Sequence, residues 1–491
     1  METLKNYING KWITSKGEVK FKVVNSLTGE TIVNVPESTD EEIQLAINSA
    51  KEAFFKWKNV PPHKRGQIMI EIRNVLYAHK DELAKIIVEE HGKTLKDASG
   101  ELTRAFEYVE HTCGIAELMK GQYSENVGTS VDTFYIREPL GVFAIIPPFN
   151  FPAMISLYFC WAIACGNTVI IKPSEICPIT ITKIMELIDE NVNLPDGVVN
   201  IVHGGAITSQ KIITHNDIAG ISFVGSSKVA KIVYELASKH GKRAQCQGGA
   251  KNHIYIHKDA SIDAIIPNVV SSCFGHTSQR CFAASNILID TEIYDEFMEK
   301  FLKRVKSLKV GSGFDENIDM GPVVNKKALE NLHRWIEKGL EEGAKLLIDG
   351  RKVKVDEYPD GYFLGPTIFE AEPEMEIFKE EIFGPVRCVK KVSGFFEAVK
   401  IVNSSKYGHT SAIYTENGGV AREFVRLVNT GQVGINVGTP APIAFYPVGG
   451  RKISFFGSLR GRANDAIDFY TDKKIVVSTW HSMRYSDGYR F

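Results

Sequence analysis

The chain has 491 residues, more than one ordinary hydrophobic core accommodates, so two or three structural units with a large buried interior are expected. Its 58 Lys plus Arg stand against 59 Asp plus Glu, which leaves no electrostatic footprint for nucleic acid or an anionic membrane and points to a small-molecule ligand. Eight cysteines without a CxxC pair, and an N-terminus, Met1 to Asn6, without an apolar signal-peptide core, predict a reducing, cytoplasmic setting.

Residues 7 to 35 read as short strands joined by turns such as Asn9-Gly10 and Thr28-Gly29. Thr39 and Glu42 then make a capping box, after which Ile43, Ala46, Ile47, Ala50, Ala53, Phe54 and Trp57 recur along one helical face. Two further helices are expected over about 64–91 and 97–117. On the second, Arg104 stands three residues from both Glu101 and Glu107, by spacing alone a surface ion-pair ladder. Tyr123 to Ile136 alternates like an extended hairpin arm, suited to pairing with another subunit.

Pro139 to Ile171 carries no charge and is long enough to span a bilayer. Pro147, Pro148 and Pro152, with Asn150 among them, instead divide it into strand, turn and helix, the pattern of a parallel strand buried on both faces. From Gly141 the elements alternate: strand 141–146, helix 153–165, strand 168–172, helix 179–190, strand 198–202, helix 208–214, strand 219–223. That is a doubly wound nucleotide-binding sheet. Lys172-Pro173-Ser174-Glu175 puts an ammonium and a carboxylate where ribose hydroxyls would lie. A carboxylate accepts from a 2′-OH and repels a 2′-phosphate, so NAD is expected over NADP. The turn holding Gly225 and Ser226 opens a helix over 227–239 whose free N–H groups suit a pyrophosphate.

A second α/β unit begins near Lys251, with a strand over 252–257 and helices over 261–272, 292–306 and 326–342. Within it Cys281 follows Thr277, Ser278, Gln279 and Arg280, groups able to stabilise a thiolate, and is the expected nucleophile; Cys273 is the packing control. His253 and His257 share a strand face with no third ligand nearby, so they read as structural or surface residues and no metal is expected. Glu380 to Pro385 closes a loop, and a strand over 433–437 precedes a Pro- and Gly-rich segment. Ile475 to Trp480 reads as a last strand paired with the 123–136 arm, its own or a neighbour's.

Six motifs then coincide in order with one family: Pro148-Phe149-Asn150-Phe151-Pro152, Lys172 to Glu175, Leu194 to Val198, Phe223 to Ser226, Gln279-Arg280-Cys281 and Glu381 to Pro385. Over nearly its whole length the chain resembles the NAD(P)-dependent aldehyde dehydrogenases. The resemblance implies a doubly wound NAD-binding domain (1–120 and 140–248), a second α/β catalytic domain (249–445), a small β oligomerisation arm (121–139 and 466–491) and a return of 446–465 to the first domain. It implies a homodimer or homotetramer. It also implies that the Cys281 thiolate attacks an aldehyde, with Asn150 and the Cys281 N–H stabilising the oxyanion. Phe149, Lys172, Glu175, Gly225, Ser226, Glu381 and Phe383 would hold NAD, the last two at the nicotinamide ribose and ring.

One departure stands out. Where most hydrolytic members begin a Glu-Leu-Gly-Gly-Lys motif with a base, this chain reads Gln247-Gly248-Gly249-Ala250-Lys251, and an amide is no general base. With the sequence from Gly249 to His253, the Arg280-Cys281 pair and Asp468 to Lys474, the chain is similar to the CoA-acylating methylmalonate-semialdehyde dehydrogenases. That branch oxidises malonate or methylmalonate semialdehyde, loses CO₂ and passes the acyl group to coenzyme A, giving acetyl-CoA or propanoyl-CoA. Arg280 and Arg104 match the positions the resemblance assigns to the substrate carboxylate. The alternatives are a CoA-independent enzyme releasing free acid, and a retired enzyme kept as a structural or NAD-binding protein, which the intact Cys281, Asn150 and Glu381 oppose.

Overall fold

The computed structural model describes residues 2–480. Its largest sheet runs Lys11–Thr14, Lys5–Ile8, Val199–Ile201, Thr168–Ile171, Val142–Ile146, Ile218–Val224, Arg243–Gln247, Phe455–Phe456. The five central strands are parallel and, numbered by chain order, lie 3-2-1-4-5, the doubly wound arrangement. The uncharged stretch supplies its centre: every residue of Val142–Ile146 and of the helix Phe159–Ala164 is buried. Among the described residues no helix is long and apolar enough to cross a membrane.

Helix Asp40–Trp57 starts at Thr39, and both capping-box bonds form: Glu42 N–H to Thr39 Oγ1 (3.3 Å) and Thr39 N–H to Glu42 Oε2 (3.0 Å). The single helix expected over 64–91 is two, Pro62–Ala78 and Lys80–His91, broken at His79 (φ −105°, ψ 15°). Apolar spacing runs through the break because both halves bury into the same core, and the His79 ring turns to Glu82 in the new first turn at 2.9 Å. The helix expected over 97–117 likewise ends at Cys113, with a separate turn, Ile115–Leu118, beyond Gly114.

The second sheet orders Lys345–Ile348, Thr367–Glu370, Val386–Val392, Ala284–Asp290, Asn252–Ile256, Thr410–Tyr414 and Gln432–Ile435, all parallel except the Lys345–Ile348 edge. His253 is buried in it, its Nε2 3.0 Å from Asn286 Nδ2, and burial drives its pKa down to about 3, so the ring is a neutral acceptor. Among the described residues no three His, Cys, Asp or Glu gather as metal ligands.

Gln122–Gly128, Val131–Pro139 and Thr471–Thr479 form a third sheet, in which Ile475 lies opposite Tyr135 of the same chain. Residues 466–470, expected in this arm, belong to helix Ala463–Tyr470, which buries Ile467, Phe469 and Tyr470 in the first core. The rest of the expected arm, 481–491, lies outside the described residues.

Candidate active site

Between Val142–Ile146 and Ile218–Val224 the strand order reverses, and loops leaving the carboxyl ends of strands diverge at such a point. A cavity of about 360 Å³ opens there. Phe149, Asn150, Gly225, Ser226 and Gln247 line it from the first sheet, Cys281, Glu381 and Phe383 from the second unit, and Arg462 from the returning chain. Larger depressions of about 450 and 500 Å³ lie beside Lys379 and Asp468, apart from Cys281.

Just before Cys281, His276, Thr277 and Ser278 hold three consecutive left-handed conformations, φ 62°, 47° and 60°. Such backbone costs about 1–3 kcal/mol per residue, most for β-branched Thr277, and persists only when its surroundings impose it. His276 N–H donates to Asp97 Oδ2 (3.0 Å), Thr277 Oγ1 to Gly321 O (3.0 Å) and Ser278 Oγ to Cys273 O (2.6 Å), while Gln279 Oε1 accepts from Val324 N–H (3.1 Å). This corrects the reading for Thr277, Ser278 and Gln279, which are turned to backbone partners that hold the strained turn; of the groups expected to stabilise a thiolate, Arg280 still lowers the Cys281 pKa. Cys281 is half-buried and Cys273 fully buried. Burial and then the Glu381 carboxylate push the Cys281 thiol up to about 12, against the pull of its own N–H, Arg462 and Arg280. The resting group is a thiol.

Asn150 stands on the turn after Val142–Ile146; its Nδ2 donates to Gln279 O (2.9 Å) and keeps a second N–H. Its carbonyl accepts from Lys93 Nζ (2.8 Å) and lies 3.0 Å from His276 Nε2. Burial, with Lys93 next, drives His276 far below its ordinary pKa, so the neutral ring donates through Nε2–H. Lys93 Nζ also donates to Glu101 Oε2 (2.6 Å), and Glu101 Oε1 accepts from the N–H groups of Ala153 (2.9 Å) and Met154 (3.0 Å). Both side chains of this ion pair are wholly buried, so Glu101 is not part of a surface ladder. Lys93 and His276 escaped the sequence reading because their partner, Asn150, is 57 and 126 residues away along the chain.

Glu381 accepts from Ala250 N–H (2.8 Å), and burial raises its pKa to about 7. Phe383 (φ 60°) meets Phe149 edge-on at 5.8 Å, and Phe149 stacks on His91 at 5.9 Å. Lys172 Nζ donates to Gly204 O (3.0 Å) and lies 3.4 Å from Glu175 Oε2. Helix Ser227–Lys239 begins at Ser226, and a Cβ on Gly225 would come within 2.5 Å of the Phe223 ring, so that turn stays bare. A bare turn at a helix N-terminus suits phosphate, the Lys172–Glu175 pair a ribose, and the Phe149–Phe383 corner a planar ring; together these residues fit a dinucleotide.

The two arginines expected at a substrate carboxylate lie outside the cavity lining. Arg280 Nη2 donates to Ser271 O (2.6 Å), satisfying a terminal carbonyl of helix Ile262–Phe274, and Arg104 is exposed and paired with Glu107 at 2.9 Å. Arg462, absent from the sequence reading, is the cation that does line it. The available signal was the Arg460-Gly461-Arg462 cluster in a segment otherwise poor in charge.

A model of the aldehyde dehydrogenase family matches residues 12–476. Malonate-semialdehyde dehydrogenase 1 of Oceanobacillus iheyensis is 42% identical over 479 residues, covering 97% of this chain and 98% of that one. A Sinorhizobium meliloti protein named as a candidate methylmalonate-semialdehyde dehydrogenase, solved with NAD, superposes with a TM-score of 0.96 at 40% identity, covering 99% of each chain. Methylmalonate-semialdehyde dehydrogenase from Oceanimonas doudoroffii also reaches 0.96, at 38% identity and 98% and 99% coverage.

Proposed function

Since the chain belongs to the aldehyde dehydrogenase family, we propose that it oxidises malonate or methylmalonate semialdehyde with NAD and delivers the acyl group, after loss of CO₂, to coenzyme A. The names of its relatives support the substrate class, and the fit of the cleft to a dinucleotide supports the cofactor. When bound, NAD supplies the hydride acceptor. Glu175 favours a free ribose 2′-OH, the turn at Gly225 and Ser226 takes the diphosphate, and Glu381 and Phe383 face the nicotinamide end.

Once deprotonated, Cys281 Sγ adds to the aldehyde carbon, and the charge developing on oxygen meets the spare N–H of Asn150 and the backbone N–H of Cys281. The hydride leaves as the carbonyl re-forms, so a thioester remains on Cys281. Cleavage of the bond to the β-carboxylate releases CO₂; its electron pair passes into the thioester enolate, which takes a proton on carbon. The coenzyme A thiolate then attacks the thioester, and Cys281 departs as thiolate. Tyr123, Ile136, Ile475 and Val477, exposed on the arm, support a homo-oligomer.

The observation that carries this reading is Gln247: it lines the cavity with Cys281, and its side chain cannot take a proton from water. Rapid mixing with NAD and malonate semialdehyde, without coenzyme A, should give a burst of NADH equal to the active sites and then a slow rate, with fast turnover and acetyl-CoA on adding coenzyme A. Fast multiple turnover to free acid without it overturns the reading. That result would favour hydrolysis with Glu381, whose pKa of about 7 suits a base, as the group activating water.

A further inference from the structure

Helix Ala206–Thr214 follows strand Val199–Ile201 and starts at Gly205, which has no side chain to cap it. Glu37, 168 residues before Gly205 in the chain, caps it instead. Its Oε1 accepts from Thr208 N–H (3.0 Å) and Gly205 N–H (3.3 Å), and Thr208 Oγ1 donates to the same oxygen. The next residue is fastened to the same turn, because Ser38 N–H and Ser38 Oγ both donate to His203 O (3.1 and 2.7 Å). The Glu37 carboxylate is therefore held in place from two sides.

The ribose end of the cleft lies beside it. Lys172 Nζ reaches Gly204 O (3.0 Å) and Glu175 Oε2 (3.4 Å), and a Cβ on Gly204 would stand 2.9 Å from Glu37 Oε1. Both carboxylates act on that ammonium: burial lowers its pKa, and Glu175 and then Glu37 oppose the fall. Lys211, farther along the helix, is paired with Asp40. One ammonium thus serves two carboxylates.

The balance of charge separates the two coenzymes. Lys172 and Glu175 alone cancel, and a lysine beside the free N–H groups of a helix start is a good phosphate partner. Glu37 leaves one negative charge in excess and takes up the N–H groups that an anion would use. A free 2′-hydroxyl is indifferent to that excess, whereas a 2′-phosphate carries a charge of about −1.5 to −2 and is repelled.

We propose that Glu37 is a specificity-determining residue, whose carboxylate adds to that of Glu175 to exclude a 2′-phosphate and so restrict the enzyme to NAD. This rests on the placement of the adenosine ribose at Glu175. It brings the strand segment before the first long helix into the choice of coenzyme.

Binding titrations of the full-length protein with NAD and with NADP, followed by quenching of tryptophan fluorescence, test it without turnover. Glu37→Gln keeps an acceptor oxygen for the helix and removes the charge, so the ratio of dissociation constants, NADP over NAD, should fall about tenfold. Glu37→Asp keeps the charge and should hold the ratio much nearer the wild-type value. In the wild type the ratio should also narrow as salt is raised, since repulsion between exposed charges is screened. An unchanged ratio in Glu37→Gln, or equal weakening of both coenzymes, would make Glu37 a helix cap alone and overturn the assignment. Equal shifts in Glu37→Gln and Glu37→Asp would also overturn it, because charge would not be the cause. Glu175→Gln separates this from the ribose placement. A ratio moved by Glu175→Gln but not by Glu37→Gln leaves the ribose in place and removes Glu37; the reverse result removes Glu175 and leaves the exclusion at Glu37 standing.

Discussion

Lys93→Met removes the ammonium that joins the Asn150 turn to helix Leu95–Cys113. The wild-type Nζ has two acceptors, Glu101 Oε2 at 2.6 Å and Asn150 O at 2.8 Å. Both side chains of the Lys93–Glu101 pair are 0% exposed, so water cannot replace what is lost. The variant leaves a buried carboxylate that keeps the Ala153 and Met154 N–H groups and loses its counter-charge, a change that costs about 3–5 kcal/mol. Glu101→Gln in that background removes the stranded charge while retaining one acceptor oxygen, and should recover about 2 kcal/mol or more of the loss. Asn150 is left with His276 alone on its carbonyl, and a displacement of about 1 Å in such a group lowers the rate by up to about a hundredfold. Urea unfolding of wild type, both single variants and the double variant measures the coupling, and the rate of the first-turnover NADH burst measures the displacement. A Lys93→Met protein within about 1 kcal/mol of wild type, with an unchanged burst rate, would refute both parts of the reasoning.

Cys281→Ser should abolish NADH formation while a fluorescence titration still shows NAD binding; Cys273→Ser, which buries a hydroxyl, should stay active and lose about 1–3 kcal/mol of stability. Because the Cys281 thiol is raised to about 12, its thiolate fraction grows as pH rises towards that value. Alkylation of the NAD-free enzyme by iodoacetamide should therefore accelerate about a hundredfold between pH 7 and 9, and a plateau in that range would mean a thiolate already present. Glu175→Gln should weaken the preference for NAD over NADP, as read from kcat/KM for each; an unchanged ratio removes Glu175 from the ribose site.

What is settled over a few residues or by short periods can be read from the chain directly. The Thr39–Glu42 box, the alternation that becomes the 3-2-1-4-5 sheet and the helix from Ser227 are all legible, because caps and strand faces depend on neighbours a few positions away. Cys281 and Cys273 do differ in exposure, but the polar run before Cys281 is turned to backbone partners, which its order in the chain does not show. Which partner each polar side chain meets depends instead on contacts made in the folded chain. Spacing on helix Leu95–Cys113 puts Glu101 beside Arg104, yet Lys93 draws Glu101 inward and Glu107 keeps Arg104 outside. Arg280 is adjacent to Cys281 in sequence but reaches back to a helix terminus, whereas Arg462, 181 positions after Cys281 (462 − 281), enters the cavity. A charged side chain takes the best hydrogen-bonding partners within reach, and in a chain folded as two sheets with a returning segment those partners come from elements far apart in sequence.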